Sequence, residues 1–341
     1  MAKRKNDYWK RRFEELEKAL HEKGVGYYRL LEKDFQKAAR DTINDINSLL
    51  ASDGVISLSE AKKMLTDEQL DDFRESLEEY IEFGKENGLD QRWMSELEKL
   101  TLRNRISKLE AMKAHIKYRA DMLYYNELNG ATKLIGDTYE ESYNKAAFIL
   151  SVGLGLLVGF SPLKHERIND VISTHWTADG INLSERIWGK HRVALIHDLQ
   201  KGLTQSIIRG ESPKKLIDRI SKKYNVSKAQ AGRLVLTEIS RVTSEAQMDM
   251  FKQSGVKQVE FVATLDNRTS EICRFMDGKV FKVSELEIGV NAPPLHPNCR
   301  SILAPYVENV KERAARDENG KTIYVEGDMS YEEWRKKFVE K

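Results

Sequence analysis

Three residues near the C-terminal end carry the most suggestive chemistry in this 341-residue chain: Cys273, His296 and Cys299. Thiolate and imidazole are zinc ligands, and closed structural zinc sites use four of them in a tetrahedron. His296 and Cys299 are separated by two residues, a spacing that can turn both side chains toward one point, and Cys273 can approach them across the same module. A fourth ligand would be Asp266, Asp277 or water, with Asp266 the favoured choice. Two other readings use the same residues. Buried free cysteines pack as small hydrophobes, so the three can simply belong to a small core. A cysteine nucleophile needs a base and a group that orients it, and Cys299 or Cys273 with His296 and Asp266 supplies those types. Asp266, Arg268, Glu271 and His296 likewise contain the types of a nuclease acid–base set. No phosphate loop, oxyanion-hole motif or paired metal-carboxylate signature accompanies them. The enzymatic reading, a hydrolase or nuclease, is therefore the alternative.

The elements that must position these residues change character at Gly255. All six prolines lie after residue 161, so the first 160 residues lack the strongest helix breaker. Tyr28, Leu31, Phe35, Ala39, Ile43, Ile46 and Leu50 recur at helical spacing, as do Leu70, Phe73, Leu77 and Ile81. Asp53-Gly54 reads as a turn between them, and Ser57/Glu60 and Thr66/Gln69 read as capping boxes. A further helix is expected from about Trp93 through Leu128, stopped by Asn129-Gly130. Downstream, Asn182 caps a helix carrying Trp188, Leu195, Leu199, Leu203 and Ile207, and Gly210 closes it. Ser212-Pro213 opens the next helix, and Ser227/Gln230 start another that Ser254-Gly255 stops. Glu238 and Arg241, at i,i+3 on that last helix, would pair at its surface or, if buried, tie it to the C-terminal module.

After Gly255, Val256, Val259, Phe261 and Val262 favour a strand. Asp277-Gly278 between apolar residues predicts a hairpin over Arg274–Phe281, and Ser301–Tyr306 predicts a closing strand. The fold class is thus a mainly α-helical body with a small C-terminal β-containing (α+β) module. Its expected divisions are an N-terminal helical region over 1–130 with a basic arm, a central helical domain over 131–254, a β-hairpin module with the Cys/His motif over 255–306, and a polar tail over 307–341. That tail would include a short helix around Trp334.

Bulk composition narrows the function. A net charge of +2 argues against a chain devoted to coating nucleic acid. Lys3, Arg4, Lys5, Lys10, Arg11 and Arg12, opposed only by Asp7, nevertheless make an arm suited to phosphates or an acidic partner, or a merely solubilising terminus. Two cysteines cannot frame a disulfide scaffold and fit a reducing compartment, and the charged start does not read as a signal peptide. Ala146–Phe160 is apolar but short of the ~20 residues that cross a bilayer. With Gly153, Gly155 and Gly159 it reads as a buried or interface segment rather than a stable membrane span.

Three ordered blocks carry a family resemblance: Asp266-Asn267-Arg268-Thr269 reaching Cys273, Asp277-Gly278-Lys279-Val280-Phe281, and Pro293-Pro294-Leu295-His296-Pro297-Asn298-Cys299-Arg300. In this order they resemble the head morphogenesis, or Mu F-like, minor head proteins of tailed phages. Leu183–Trp188 and Arg233–Glu238 also look like the family, so the likeness runs over about 135–306. It implies that Arg268, Thr269, Asp277, Gly278, Pro297, Arg300 and Glu238 are structural motif residues. It further implies a non-enzymatic virion protein at the capsid interior or portal vertex, made and assembled in host cytoplasm. Its partners would be the portal protein, scaffolding or major capsid protein, and non-specific double-stranded DNA during packaging or ejection. Many members carry cysteines where this chain has Ser270 and Ser301, so either the remaining three ligands suffice for zinc or the module holds together without it.

Overall fold

The computed structural model describes residues 6–50, 57–89, 91–154, 163–306, 312–316 and 322–326. Helices come first: α1 (Asn6–Leu49), α2 (Leu58–Ala61), α3 (Asp67–Glu86), α4 (Gln91–Thr101), α5 (Lys108–Leu154) and α6 (His165–Ser173). A π-helical stretch, Glu185–His191, runs into α7 (Arg192–Arg209), and α8 (Pro213–Gln253) follows. The rest is β1 (Gln258–Val262), α9 (Glu271–Met276), β2 (Val280–Lys282), a 3-10 turn, β3 (Ile302–Pro305), β4 (Glu312–Arg316) and β5 (Thr322–Glu326). With 74% helix, the mainly α class with a small α+β module is borne out.

Several local signals act as read. Thr66 and Gln69 form a complete capping box on α3. Ser57 accepts from the Glu60 amide but makes only half of a box. Gly210 ends α7 in the left-handed region at φ 61°, and Pro213 opens α8. Asp53-Gly54, Gly155, Gly159 and Trp334 lie outside the described residues.

Other expectations fail for identifiable reasons. The helix expected from Trp93 to Leu128 is two helices, parted where Leu65 N donates to Ile106 O and Lys108 N to Lys63 O. Asn129-Gly130 stops nothing, and α5 runs through it. A Cβ at Gly130 would stand 2.5 Å from Tyr27 Oη, so the glycine serves close approach rather than a cap. Ser227/Gln230 start no new helix, because α8 is continuous from Pro213. Glu271–Met276 is helical, so Asp277-Gly278 joins a helix to a strand rather than two strands, with Gly278 at φ 78°. The expected polar tail contains the antiparallel pair β4–β5.

The chain forms two compact units, each discontinuous in sequence. One comprises Leu30–Asn129 and Ser184–Ala231. In it Asp121, fully buried, accepts from Trp93 Nε1 at 2.7 Å, Arg192 Nη1 at 2.6 Å and Lys117 Nζ at 3.0 Å. Buried His115 lies 2.9 Å from Tyr80 Oη and 3.5 Å from Asp45, edge-on to Phe73. The other unit comprises Met1–Arg29, Gly130–Leu183 and Gly232–Lys341. Its sheet has the order β2-β1-β3, both pairings antiparallel, with Glu260 opposite Val280 and Ala304. The central strand is buried over Val259–Val262, as a strand covered on both faces must be. Among the described residues no helix is long and apolar enough to cross a membrane.

Candidate metal centre

Cys299 is positioned by a turn. Cys299 N donates to His296 O at 3.2 Å, with Pro297 second and Asn298 third at φ 58°. Proline followed by a positive-φ residue is the signature of a type II turn, and asparagine is among the few side chains that tolerate that conformation. The turn holds His296 and Cys299 at opposite ends of one hydrogen-bonded loop, and β3 begins just after it. Asn298 N also donates to Thr237 Oγ1 on α8. Cys273 arrives from α9, where Ser270 is the N-cap and accepts from the Cys273 amide at 3.3 Å.

These elements bring the three residues together. Cys273 Sγ and Cys299 Sγ are 3.7 Å apart, and His296 Nε2 is 3.2 Å from Cys273 Sγ. All three donor atoms lie within 4.8 Å of one another. With Zn–S near 2.3 Å and Zn–N near 2.0 Å, a tetrahedron has S–S edges of about 3.8 Å and S–N edges of about 3.5 Å. The sulfur pair meets that spacing and the imidazole falls a few tenths of an ångström inside it, so the donor set fits zinc. Ser270 and Ser301 hydroxyls both hydrogen-bond Cys273. The two positions where this chain departs from the family's cysteines therefore converge on the same point.

The electrostatics suit a thiolate–imidazolium group. The paired sulfurs share a charge unequally: hydrogen bonding from Cys273, then His296, holds Cys299 well below the ordinary thiol range although burial opposes it. Its neighbour Cys299 and burial push Cys273 up. The negative charge on Cys299 raises His296 above its usual value.

Asp266, the favoured fourth ligand, is spoken for. Its carboxylate meets the Arg300 guanidinium in a two-point fork at 2.5 and 2.8 Å and accepts from Arg268 N at 2.9 Å. Burial would raise its pKa, but the Arg300 fork outweighs it and holds the carboxyl below the usual range. Asp277 is committed too, accepting from Ala263 N at 2.8 Å. Neither joins the cluster, so a fourth position falls to water.

The remaining motif residues hold the module's shape. Buried Thr269 bonds Thr264 O, and its own carbonyl accepts from Arg274 Nε. Gly278 N donates to Phe261 O, while the Arg268 side chain is 78% exposed. Glu238 and Arg241 make no surface pair. Both are buried, bonded to each other at 2.8 Å, with Glu238 accepting from Trp176 Nε1 and Arg241 donating to Val171 O. They tie α8 to the segment that begins with α6, not to the β-module. No sequence pattern points to Trp176, because its chain distance from Glu238 hides the pairing.

The basic arm divides. Lys3, Arg4 and Lys5 lie outside the described residues. Lys10 is 1% exposed and pairs with Glu260 of β1 at 2.7 Å, which removes it from any nucleic-acid surface. Arg11 and Arg12 face solvent in part and pair with Glu15.

Residues 197–304, from α7 to β3 and including the whole cluster, match the family model described as Phage Mu protein F like protein. The chain carries a Mu F-like region. The match is narrower than the 135–306 expected from the motifs. Minor head protein GP7 of Bacillus phage SPP1 is 25% identical to this chain over 246 residues, covering 67% of this chain and 79% of that protein. The likeness thus extends beyond the Mu F-like region itself. No solved structure matches the chain.

Proposed function

We propose that this chain is a minor head protein of a tailed phage that acts in head assembly at the portal vertex, with a zinc-clamped C-terminal module. The observation that carries the reading is the likeness to a minor head protein over two-thirds of the chain, with all three motif blocks folded into one module. Portal protein is the primary partner. Scaffolding or major capsid protein and packaged double-stranded DNA are secondary ones, reached as the head fills or empties. Contact with DNA would be electrostatic and salt-sensitive, through Lys3, Arg4, Lys5, Arg11 and Arg12.

Cys273, His296 and Cys299 would hold the zinc. Bound there, zinc supplies a cross-link between the α9 segment and the His296–Cys299 turn, in a module too small to gain much from its own core. The role is structural. Both cysteines are at most 2% exposed, and the cavity beside Cys299 leaves about 10 Å³ open to the centre of a water-sized sphere, room for about one water and for no polymer substrate.

The deciding experiment is co-purification of the chain with portal protein from infected cells, with immunodetection in mature particles. Recovery with portal and presence in particles support the reading. Absence from both overturns it. Turnover of a DNA or cell-wall substrate that is lost in Cys299→Ser, with folding intact, would replace it with the hydrolase alternative.

A further inference from the structure

The inward face of α8 is polar where it should be apolar. Ser240, Thr243, Ser244 and Gln247 follow one another at helical spacing, and all four are at least nine-tenths buried. They form one wall of a cavity whose other walls include Cys299, Ser301 and Ile302 from the β-module. Three polar atoms on that wall have no protein partner: Thr243 Oγ1 and both amide atoms of Gln247. Gln247 has no exposed surface at all, so bulk solvent does not answer them. A buried polar atom left without a partner costs about 1–3 kcal/mol. Three on one wall would be a standing penalty that valine and leucine at the same positions would remove.

We infer that this cavity is a binding site for an ordered water molecule, held by Thr243 Oγ1 and the Gln247 side-chain amide. Size and chemistry agree. The space open to the centre of a water-sized sphere is about 10 Å³, close to what one molecule needs. Water donates twice and accepts twice, so a single molecule can answer the amide donor, the amide acceptor and the hydroxyl together. Buried waters make about three such bonds. The consequence is mechanical: the β-module sits on α8 through a hydrated polar seam, with Asn298 N to Thr237 Oγ1 nearby on the same helix. Neither the family likeness nor the metal reading enters this inference.

A crystal structure of the full chain at about 2 Å or better reads the site directly. A density peak within hydrogen-bonding distance of Thr243 Oγ1 and the Gln247 amide is the expected result, and a clear absence of density overturns the inference. Thermal denaturation gives an independent sign. If water is bound, Thr243→Val strips one of its partners and lowers Tm, by about 2 °C for the loss of one net hydrogen bond in a chain of this size. If the cavity is dry, the same near-isosteric change removes an unpaired hydroxyl and raises Tm. Gln247→Met serves as the second variant with the same opposed signs, and a rise in both overturns the inference.

Discussion

Replacing Lys10 by methionine should unbalance the β-module more than any other single change near the N-terminus. Lys10 Nζ lies 2.7 Å from Glu260 Oε1, with side-chain exposures of 2% and 8%. Two unit charges at that distance attract by about 6 kcal/mol at an effective dielectric near 20. Taking both from water costs a comparable amount, so the intact pair contributes little net stability. Removing one member is different. Glu260 sits on the central strand, and without Lys10 its carboxylate is a buried charge deprived of that counter-ion, at a cost of about 3–5 kcal/mol. The change keeps the stem's volume, so packing loss is minor. Hydrogen exchange of the β1 amides in the full chain reports opening of this region. A loss of 3–5 kcal/mol should speed their exchange by about two to nearly four orders of magnitude. The double variant Lys10→Met/Glu260→Gln should recover most of that loss, giving a strongly non-additive cycle. Acceleration below about tenfold, or a double variant equal to the sum of its parts, would refute the buried-pair reasoning.

Four other outcomes are expected from the same geometry. Elemental analysis of the purified protein should find about one zinc per chain, lost in Cys299→Ser, whereas a well-folded sample without zinc would leave the cluster as packing. Burial, opposed by Asp45 and reinforced by Arg119, lowers His115 to about 4. The unfolded chain therefore takes up a proton below its ordinary value of 6.5 that the folded chain refuses. Stability should fall as pH drops from about 6.5 toward 4, by up to about 3 kcal/mol, and denaturation curves of His115→Gln should lack that slope. Gly232→Ala should destabilise by about 1–3 kcal/mol despite alanine's better helix propensity, because its Cβ would overlap the Tyr28 ring; a gain in Tm would contradict the close packing. Removing residues 1–5 should weaken DNA binding and flatten its salt dependence by about 0.9 for each phosphate no longer neutralised, and an unchanged slope would remove the arm from DNA binding.

Periodicity, capping residues and the three-block motif were enough to specify the helical body, the strand after Gly255, the closing strand and the trio Cys273, His296 and Cys299. Those features are local: a capping box, a left-handed glycine or a Pro-Asn turn is decided by residues a few positions apart. The failures share the opposite property. Gly130 looks like a helix stop until Tyr27, far away in sequence, occupies the space where a Cβ would be. Lys10 looks like a phosphate contact until Glu260 is found beside it, 250 residues on. Asp266 looks like a ligand until Arg300 closes on it, and Glu238 looks like a surface charge until Trp176 and Arg241 enclose it. A side chain's type and spacing state what it is able to do. Which partner takes up its charge or its hydrogen bonds is settled by burial, since a buried polar group must find a partner and the nearest one in space is seldom the nearest in sequence. The sequence determined the ligand types and the elements that carry them; tertiary packing decided which charged groups were left to act.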